Sequence, residues 1–230
     1  MGESLAAHRT RGDAAVLDET LRLTEIFHSL QGETSRVGLP TVFVRLTGCP
    51  LRCRYCDTAY AFHGGEVWRI GDVIAAVAGY STRHVTVTGG EPLAQKNCLP
   101  LLRLLCDAGH AVSLETSGAL DIAGVDRRVS RILDIKTPGS GEMGRNRWAN
   151  LDRLRSADEL KFVICNEADY EWARRQLIER RLDRLCPVLF SPSYHELPAV
   201  RLAEWVLRDR LPVRCQIQLH KVLWGEASGR

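Results

Sequence analysis

Six short stretches rich in β-branched residues recur along this chain, at 41–47, 83–88, 111–115, 131–136, 160–164 and 188–190, and they constrain its fold more than any other feature. Most end in a polar or glycine-bearing turn and are followed by a segment of helical pattern, at 99–106 (closed by Gly109), 170–181 and 198–208. Strands alternating with helices give βα units, a parallel sheet and right-handed crossovers. The units are too few to close an eight-stranded barrel. The expected fold is therefore α/β, an incomplete TIM-like barrel open on one side. In such folds the chemistry gathers in the loops at the C-terminal ends of the strands.

The loop after the first of these stretches reads Cys49-Pro-Leu-Arg-Cys53-Arg-Tyr-Cys56, with no fourth cysteine at a comparable spacing. A closed structural zinc site takes four ligands, whereas three thiolates on an iron–sulfur cube leave one iron open to a non-protein ligand. A structural metal loop and three unrelated thiols are the plainer alternatives. The other cysteines, Cys98, Cys106, Cys165, Cys186 and Cys215, read as small core or boundary residues rather than as a disulfide framework.

With 230 residues, 45% of them hydrophobic and 26% charged, the chain can build one substantial core. Residues 21–230 read as a single domain and 1–20 as a flexible extension, with 139–150 as the connection expected to be mobile. The formal net charge of +3 is small and its basic residues are scattered, so nucleic-acid binding is not indicated. Neither a secretory apolar segment nor a membrane-length run is evident, which gives a cytoplasmic expectation with no membrane partner.

The three-cysteine spacing, with the aromatic Tyr55 before the last cysteine, resembles the radical S-adenosylmethionine (SAM) enzymes. That resemblance implies a [4Fe-4S] cluster on Cys49, Cys53 and Cys56, and SAM as its partner. Thr88-Gly-Gly-Glu-Pro92 alone would read as a turn. Placed after a strand and downstream of the cysteine loop, it matches the superfamily segment that meets the methionine amino group, here through Gly90.

Further segments resemble one branch, the 7-carboxy-7-deazaguanine synthases: Glu25-Ile-Phe-His-Ser-Leu-Gln-Gly-Glu33 before the first strand, Phe43-Val-Arg-Leu-Thr-Gly-Cys49, Cys56-Asp-Thr58, Glu115-Thr-Ser-Gly118 and Gln218-Leu-His-Lys221. The branch is implied to convert 6-carboxy-5,6,7,8-tetrahydropterin into 7-carboxy-7-deazaguanine with loss of ammonia, on the route to queuosine. The radical chemistry is carried by cluster and SAM, so no side chain is assigned as catalytic. Leu30, Gln31, Gly32, Arg45 and Thr88 are the substrate residues this implies. Gln31 offers an amide donor and acceptor to a pterin edge, and Arg45 a fork for the substrate carboxylate. A surface turn for Gln31 and a barrel-face salt bridge for Arg45 are the alternatives.

Thr58 is the implied magnesium ligand, and Asp57 is left outside that site as a helix cap. Asp134, Ile135 and Lys136, with Phe190, Ser191, Pro192 and Ser193, are the implied far-side SAM contacts. His220 is given no catalytic role. The resemblance also implies an electron donor such as flavodoxin and a homodimer. A glycyl-radical-enzyme activase would share the cysteine and glycine loops, and a non-enzymatic iron–sulfur or zinc module is the alternative of a different class.

Overall fold

The computed structural model describes residues 11–225 together with Ala227 and Gly229. Its strands are β1 (Thr20–Leu30), β2 (Pro40–Leu46), β3 (Glu66–Arg69), β4 (His84–Gly89), β5 (Ala111–Thr116), β6 (Ser130–Ile135), β7 (Glu159–Ile164), β8 (Val188–Pro192) and β9 (Arg214–Cys215). They form one nine-stranded sheet in the order β3-β1-β2-β4-β5-β6-β7-β8-β9. From β2 onward every neighbouring pair is parallel, while β1 runs antiparallel to both β2 and β3. The edge strands β3 and β9 do not pair with each other, so the barrel is incomplete as expected, although its strands number nine rather than the six read from the sequence.

The helices are α1 (Arg11–Leu17), α2 (Ile70–Ala78), α3 (Cys98–Asp107), α4 (Glu167–Glu179), α5 (Ala199–Arg208) and α6 (Leu219–Trp224). Local chemistry sets their ends. Asn166 caps α4 by accepting the Asp169 amide at 3.0 Å, and Gly109 takes the left-handed backbone past α3. The first ten residues of the expected extension lie outside the described residues, but the next seven are helical and Thr20 already belongs to β1.

Strand alternation sorts the side chains into two layers. Val85, Val87, Val112, Leu114, Leu133, Leu160 and Phe162 point outward and are buried against the helices, forming the main core. Burying each such side chain contributes about 1.5–3 kcal/mol. Their neighbours Thr86, Thr88, Ser113, Glu115, Asp134, Lys161 and Ser191 sit on the opposite, lumen face. The register carries this through: Arg45 lies beside Thr88, Thr86 beside Ser113, Asp134 beside Lys161 and Val163 beside Ser191.

The segment after β1 closes the floor of the barrel. Ser35 donates to Glu159 at the start of β7, Arg36 donates to the Ala111 carbonyl at the start of β5 at 2.9 Å, and Gln216 exchanges two hydrogen bonds with the Thr34 backbone. This plug carries Gln31 and Glu33 into the lumen from below, opposite the strand-end loops. The sequence reading placed 25–33 before the first strand; its first six residues are instead part of β1.

The connection expected to be mobile is a series of anchored 3-10 turns, Pro138–Ser140, Met143–Arg145 and Trp148–Arg153. Gly139 donates its amide to buried Asp169 at 2.7 Å. Asn146 bonds both backbone groups of Lys136, and Asn150 donates to the Gly118 and Leu120 carbonyls. The polar side chains that suggest a loop from sequence are those that fasten it.

Candidate active site

The lumen holds a cavity of about 730 Å³ that runs from the cysteine loop to the floor plug. Its upper wall follows β2, where the chain turns so that Cys49, Cys53 and Cys56 all line the space as free, half-buried thiols. The Leu51 amide donates to Cys49 Sγ at 3.4 Å, and the Cys56 amide closes a turn onto the Cys53 carbonyl at 3.2 Å. Burial raises the Cys49 thiol above its ordinary value and pushes Cys53 up to about 11. Among the described residues no three His, Cys, Asp or Glu side chains gather around one metal ion. In an iron–sulfur cube each thiolate takes its own iron.

Gly90 lies directly against this loop. A Cβ there would overlap the Gly48 carbonyl oxygen and crowd Cys49 Cβ, while the Glu91 amide donates to the Gly48 carbonyl at 2.8 Å. Glu91 itself faces away from the cavity. Fully buried, it accepts from the Thr116 hydroxyl, the Ser117 amide and hydroxyl and the Leu93 amide, fastening the glycine turn to the end of β5.

Beside the thiols, Asp134 and Lys136 form an ion pair at 3.0 Å, with the ammonium 5.7 Å from the Tyr55 ring centre. Burial alone would lower the Lys136 pKa, but Asp134 and the neighbouring cysteines outweigh it and leave it raised. Three buried oxygens on this side, Tyr55 Oη, Asp134 Oδ1 and Ser191 Oγ, have no hydrogen-bond partner among the described residues. Buried polar atoms are seldom left unpaired, and a polar cofactor in the cavity would satisfy them. The donor set and these orphaned oxygens fit a cluster with SAM beside it.

The expected far-side contacts divide by strand parity. Asp134, Lys136, Ser191, Pro192 and Ser193 line the cavity. Ile135 and Phe190 do not: both point outward, Phe190 against the rings of Phe162 and Tyr170 at 5.4 and 6.2 Å. A three- or four-residue strand segment necessarily contains residues of both faces.

The opposite end sets a hydrogen-bonding network beside an aromatic wall. Gln31 Nε2 donates to Glu115 Oε1 at 3.2 Å and to Thr86 at 3.3 Å, and Thr88 donates to Glu115 Oε2 at 2.9 Å. Burial, then the nearby Glu33 carboxylate, raises the Glu115 pKa. Glu33 is also buried, but Lys161 pairs with it and Gln218 donates to it at 2.8 Å, so its pKa falls below the ordinary value. Phe27 and Phe43 stack at 4.9 Å to form an apolar wall. Next to them Arg45 donates from Nε to Glu25 at 2.7 Å, and its guanidinium lies over the Phe27 and Tyr60 rings at 5.6 and 5.8 Å. Arg45 thus makes the expected alternative salt bridge while still lining the cavity.

Leu30, Gln31, Gly32, Thr58 and Thr88 line the cavity as well. Gly32 is required by a close approach, because a Cβ there would collide with the His220 ring. The Thr58 hydroxyl donates to Asp57 Oδ1 at 2.9 Å. Asp57 does not cap the following turn, Ala59–Phe62, which has no side-chain cap; its other oxygen faces Lys221 at 3.7 Å and Gln218 at 3.5 Å. Glu33, Glu115, Lys161 and Gln218 carry no individual role in the sequence, and Asp57, expected there as a helix cap, instead joins the cavity wall. The lone lysine in the otherwise apolar run 160–164 is the one sequence signal for Lys161, and a solvent-facing lysine at an alternate strand position would give the same pattern.

Residues 43–137 match the Radical SAM superfamily. The chain is 45% identical over 208 residues to the 7-carboxy-7-deazaguanine synthase of Chlorobaculum tepidum, spanning 89% of this chain and 94% of that protein. It is 41% identical to the enzyme of the same name from Koribacter versatilis, over 89% of this chain and 97% of the relative. The crystal structure of QueE from Escherichia coli superposes with a TM-score of 0.74 at 24% identity, over 93% of this chain and 100% of that one, a likeness of fold. Relatives so similar over nearly their full length establish that the chain belongs to the 7-carboxy-7-deazaguanine synthase family of radical SAM enzymes.

Proposed function

We propose that the protein catalyses the radical ring contraction of 6-carboxy-5,6,7,8-tetrahydropterin to 7-carboxy-7-deazaguanine, releasing ammonia, as a step toward queuosine and other 7-deazapurines. The observation that carries this reading is one cavity with a three-thiol wall at one end and the Gln31–Glu115–Thr88 network at the other. When bound, the [4Fe-4S] cluster and SAM supply a 5′-deoxyadenosyl radical able to remove a substrate hydrogen. Substrate and products balance without net oxidation, so the hydrogen removed at the start can be returned at the end.

Cys49, Cys53 and Cys56 hold the cluster. Gly90 lets SAM approach the thiol wall, and Asp134, Lys136, Ser191 and Ser193 contact it through the oxygens and ammonium they present there. Gln31 and Glu115 pair with the pterin edge, whose ring amide and exocyclic amine need acceptors. The Phe27–Phe43 wall and Thr88 fix the ring plane, and the Arg45 guanidinium forks the carboxylate. Thr58 would offer one hard oxygen to magnesium, which would supply positive charge beside the substrate. The floor plug closes the cavity below, which suits a small molecule rather than a glycyl-radical protein substrate.

Among the described residues no helix is long and apolar enough to cross a membrane; a cytoplasmic location is part of the proposal. A homodimer and a flavodoxin-type donor complete the proposal. Anaerobic reconstitution, incubation with the carboxylated tetrahydropterin and mass-spectrometric product analysis test it. Formation of 7-carboxy-7-deazaguanine supports the reading, and SAM cleavage with the pterin left intact contradicts it.

A further inference from the structure

We infer that the Glu33–Lys161 ion pair selects the reduced ring of the pterin, with Glu33 accepting from the ring N8–H and Lys161 donating to the neighbouring N1. The inference rests on the proposed substrate and adds the residues that read its oxidation state. Ring N8 carries a hydrogen in tetrahydro- and 7,8-dihydropterins, whereas in the fully oxidised ring it is a bare acceptor. N1 is an acceptor in all three.

Two carboxylates meet on the floor of the cavity, and Gln31 ties them together. Its Oε1 accepts from the Glu33 amide at 3.2 Å, and its Nε2 donates to Glu115 at 3.2 Å. Proximity to Glu33 adds to burial in raising the Glu115 pKa. Lys161 is the ammonium that acts on both: it pairs with Glu33, favours the ionised form of Glu115, and lies 4.0 Å from Asp134. Burial lowers the His220 pKa, so that ring adds no positive charge at neutral pH. In this trio the carboxylates outnumber the ammonium, which leaves acceptors on the floor for the N–H groups of a ligand.

The two carboxylates differ in their neighbours, and the difference matches two parts of the pterin edge. Glu115 is oriented by neutral donors, Gln31 on one oxygen and Thr88 on the other, and offers two acceptors side by side, as the ring N3–H and the 2-amine require. At Glu33 a donor stands beside the acceptor: the Lys161 ammonium pairs with one oxygen, while Gln218 steadies the other at 2.8 Å. Donor beside acceptor is the complement of N1 beside N8–H. Lys161 and Gln218 also hold Glu33 ionised, so it has no proton to give to a bare N8. Both members of the pair line the cavity. A buried acceptor set against a ring lone pair is left unpaired, which is how a polar site rejects an analogue lacking one hydrogen.

The test is calorimetric titration of the anaerobically reconstituted, SAM-loaded protein, left unreduced so that nothing turns over. Its two ligands are 6-carboxy-7,8-dihydropterin and fully oxidised 6-carboxypterin, which differ only in the hydrogens at N8 and C7. Unaltered protein is expected to bind the dihydro ring about tenfold more tightly or better. Glu33→Gln, whose amide can donate to a bare N8, is expected to bring the two affinities within about threefold, chiefly by tightening the oxidised ring. A Glu33 that merely supports the floor would weaken both ligands alike and preserve their ratio, and that result overturns the inference. Equal affinities in the unaltered protein overturn it too, and this arm holds even where the variant fails to fold. Should neither pterin bind the unaltered protein, the proposed function falls and the inference with it; equal binding of both removes the inference alone.

Discussion

Arg45 is gripped by Glu25 through Nε, at 2.7 Å, while the residue lines the cavity. The pair is 15% and 22% exposed, so the carboxylate orients the fork without neutralising it in a fully dry site. Arg45→Ala is expected to weaken binding of the carboxylated pterin by about 2–5 kcal/mol while leaving the thiol loop intact. Arg45→Lys should recover only part, since an ammonium lacks the planar fork. Glu25→Gln should cost less than either. Anaerobic titration of substrate into the three variants checks the order, and unchanged affinity in all of them would return Arg45 to a structural role.

Thr58 separates a metal role from a turn role. Thr58→Val keeps the side-chain shape but removes the oxygen, so turnover should fall and recover partly at higher magnesium. Because the structure gives Thr58 no capping bond, the variant should show little of the roughly 1 kcal/mol stability loss that a lost cap produces. A normal magnesium response with lowered thermal stability would contradict the assignment.

Glu115 and Glu33 should give opposite pH signatures. The folded state raises the Glu115 pKa, so the folded protein holds that proton more tightly and stability falls as pH rises through the window above the ordinary glutamate value. Glu115→Gln is therefore expected to be more thermally stable than wild type at neutral pH, with the difference shrinking in acid, and to bind the pterin poorly. Glu33 is lowered, so its contribution is present above the ordinary value and is lost as pH falls. Lys161→Met, which strands the Glu33 carboxylate, should cost about 3–5 kcal/mol at neutral pH. Melting curves of both variants between pH 4 and 8 decide the signs.

Burial raises the Cys49 and Cys53 thiols, and iron takes only thiolates. Cluster loading of the apo-protein should therefore proceed faster as pH increases from neutral toward 9, and Cys53→Ala should abolish the four-iron absorption at every pH. A loading rate that is flat with pH would contradict the protonated resting state.

The cysteine loop, the glycine turn and the βα rhythm were legible because each is a local pattern: spacing, a turn residue, a period of two. The floor of the site was not. Glu33 reaches Lys161 only because the plug crosses beneath the sheet, a contact between residues 128 positions apart in the chain. In a barrel the polar face of a strand can point inward, so Glu115 and Lys161 carry the same alternation as solvent-facing residues. The same parity explains why Ile135 and Phe190, read as part of contiguous contact segments, belong to the core beneath the helices. Strand β1 was hidden because its tail carries His28, Ser29 and the motif residues of the plug, so it reads as a turn until β2 pairs with it.

The central claim, that a single cavity couples the thiol wall to the pterin-reading floor, is tested most directly by measuring ammonia and deazapurine in the same quenched anaerobic reaction of the reconstituted enzyme. Unaltered protein should release one ammonia for each 7-carboxy-7-deazaguanine formed, Cys53→Ala should release neither, and Gln31→Ala should retain the cluster while losing most of both. Ammonia released without the ring-contracted product, or undiminished product from either variant, would contradict it.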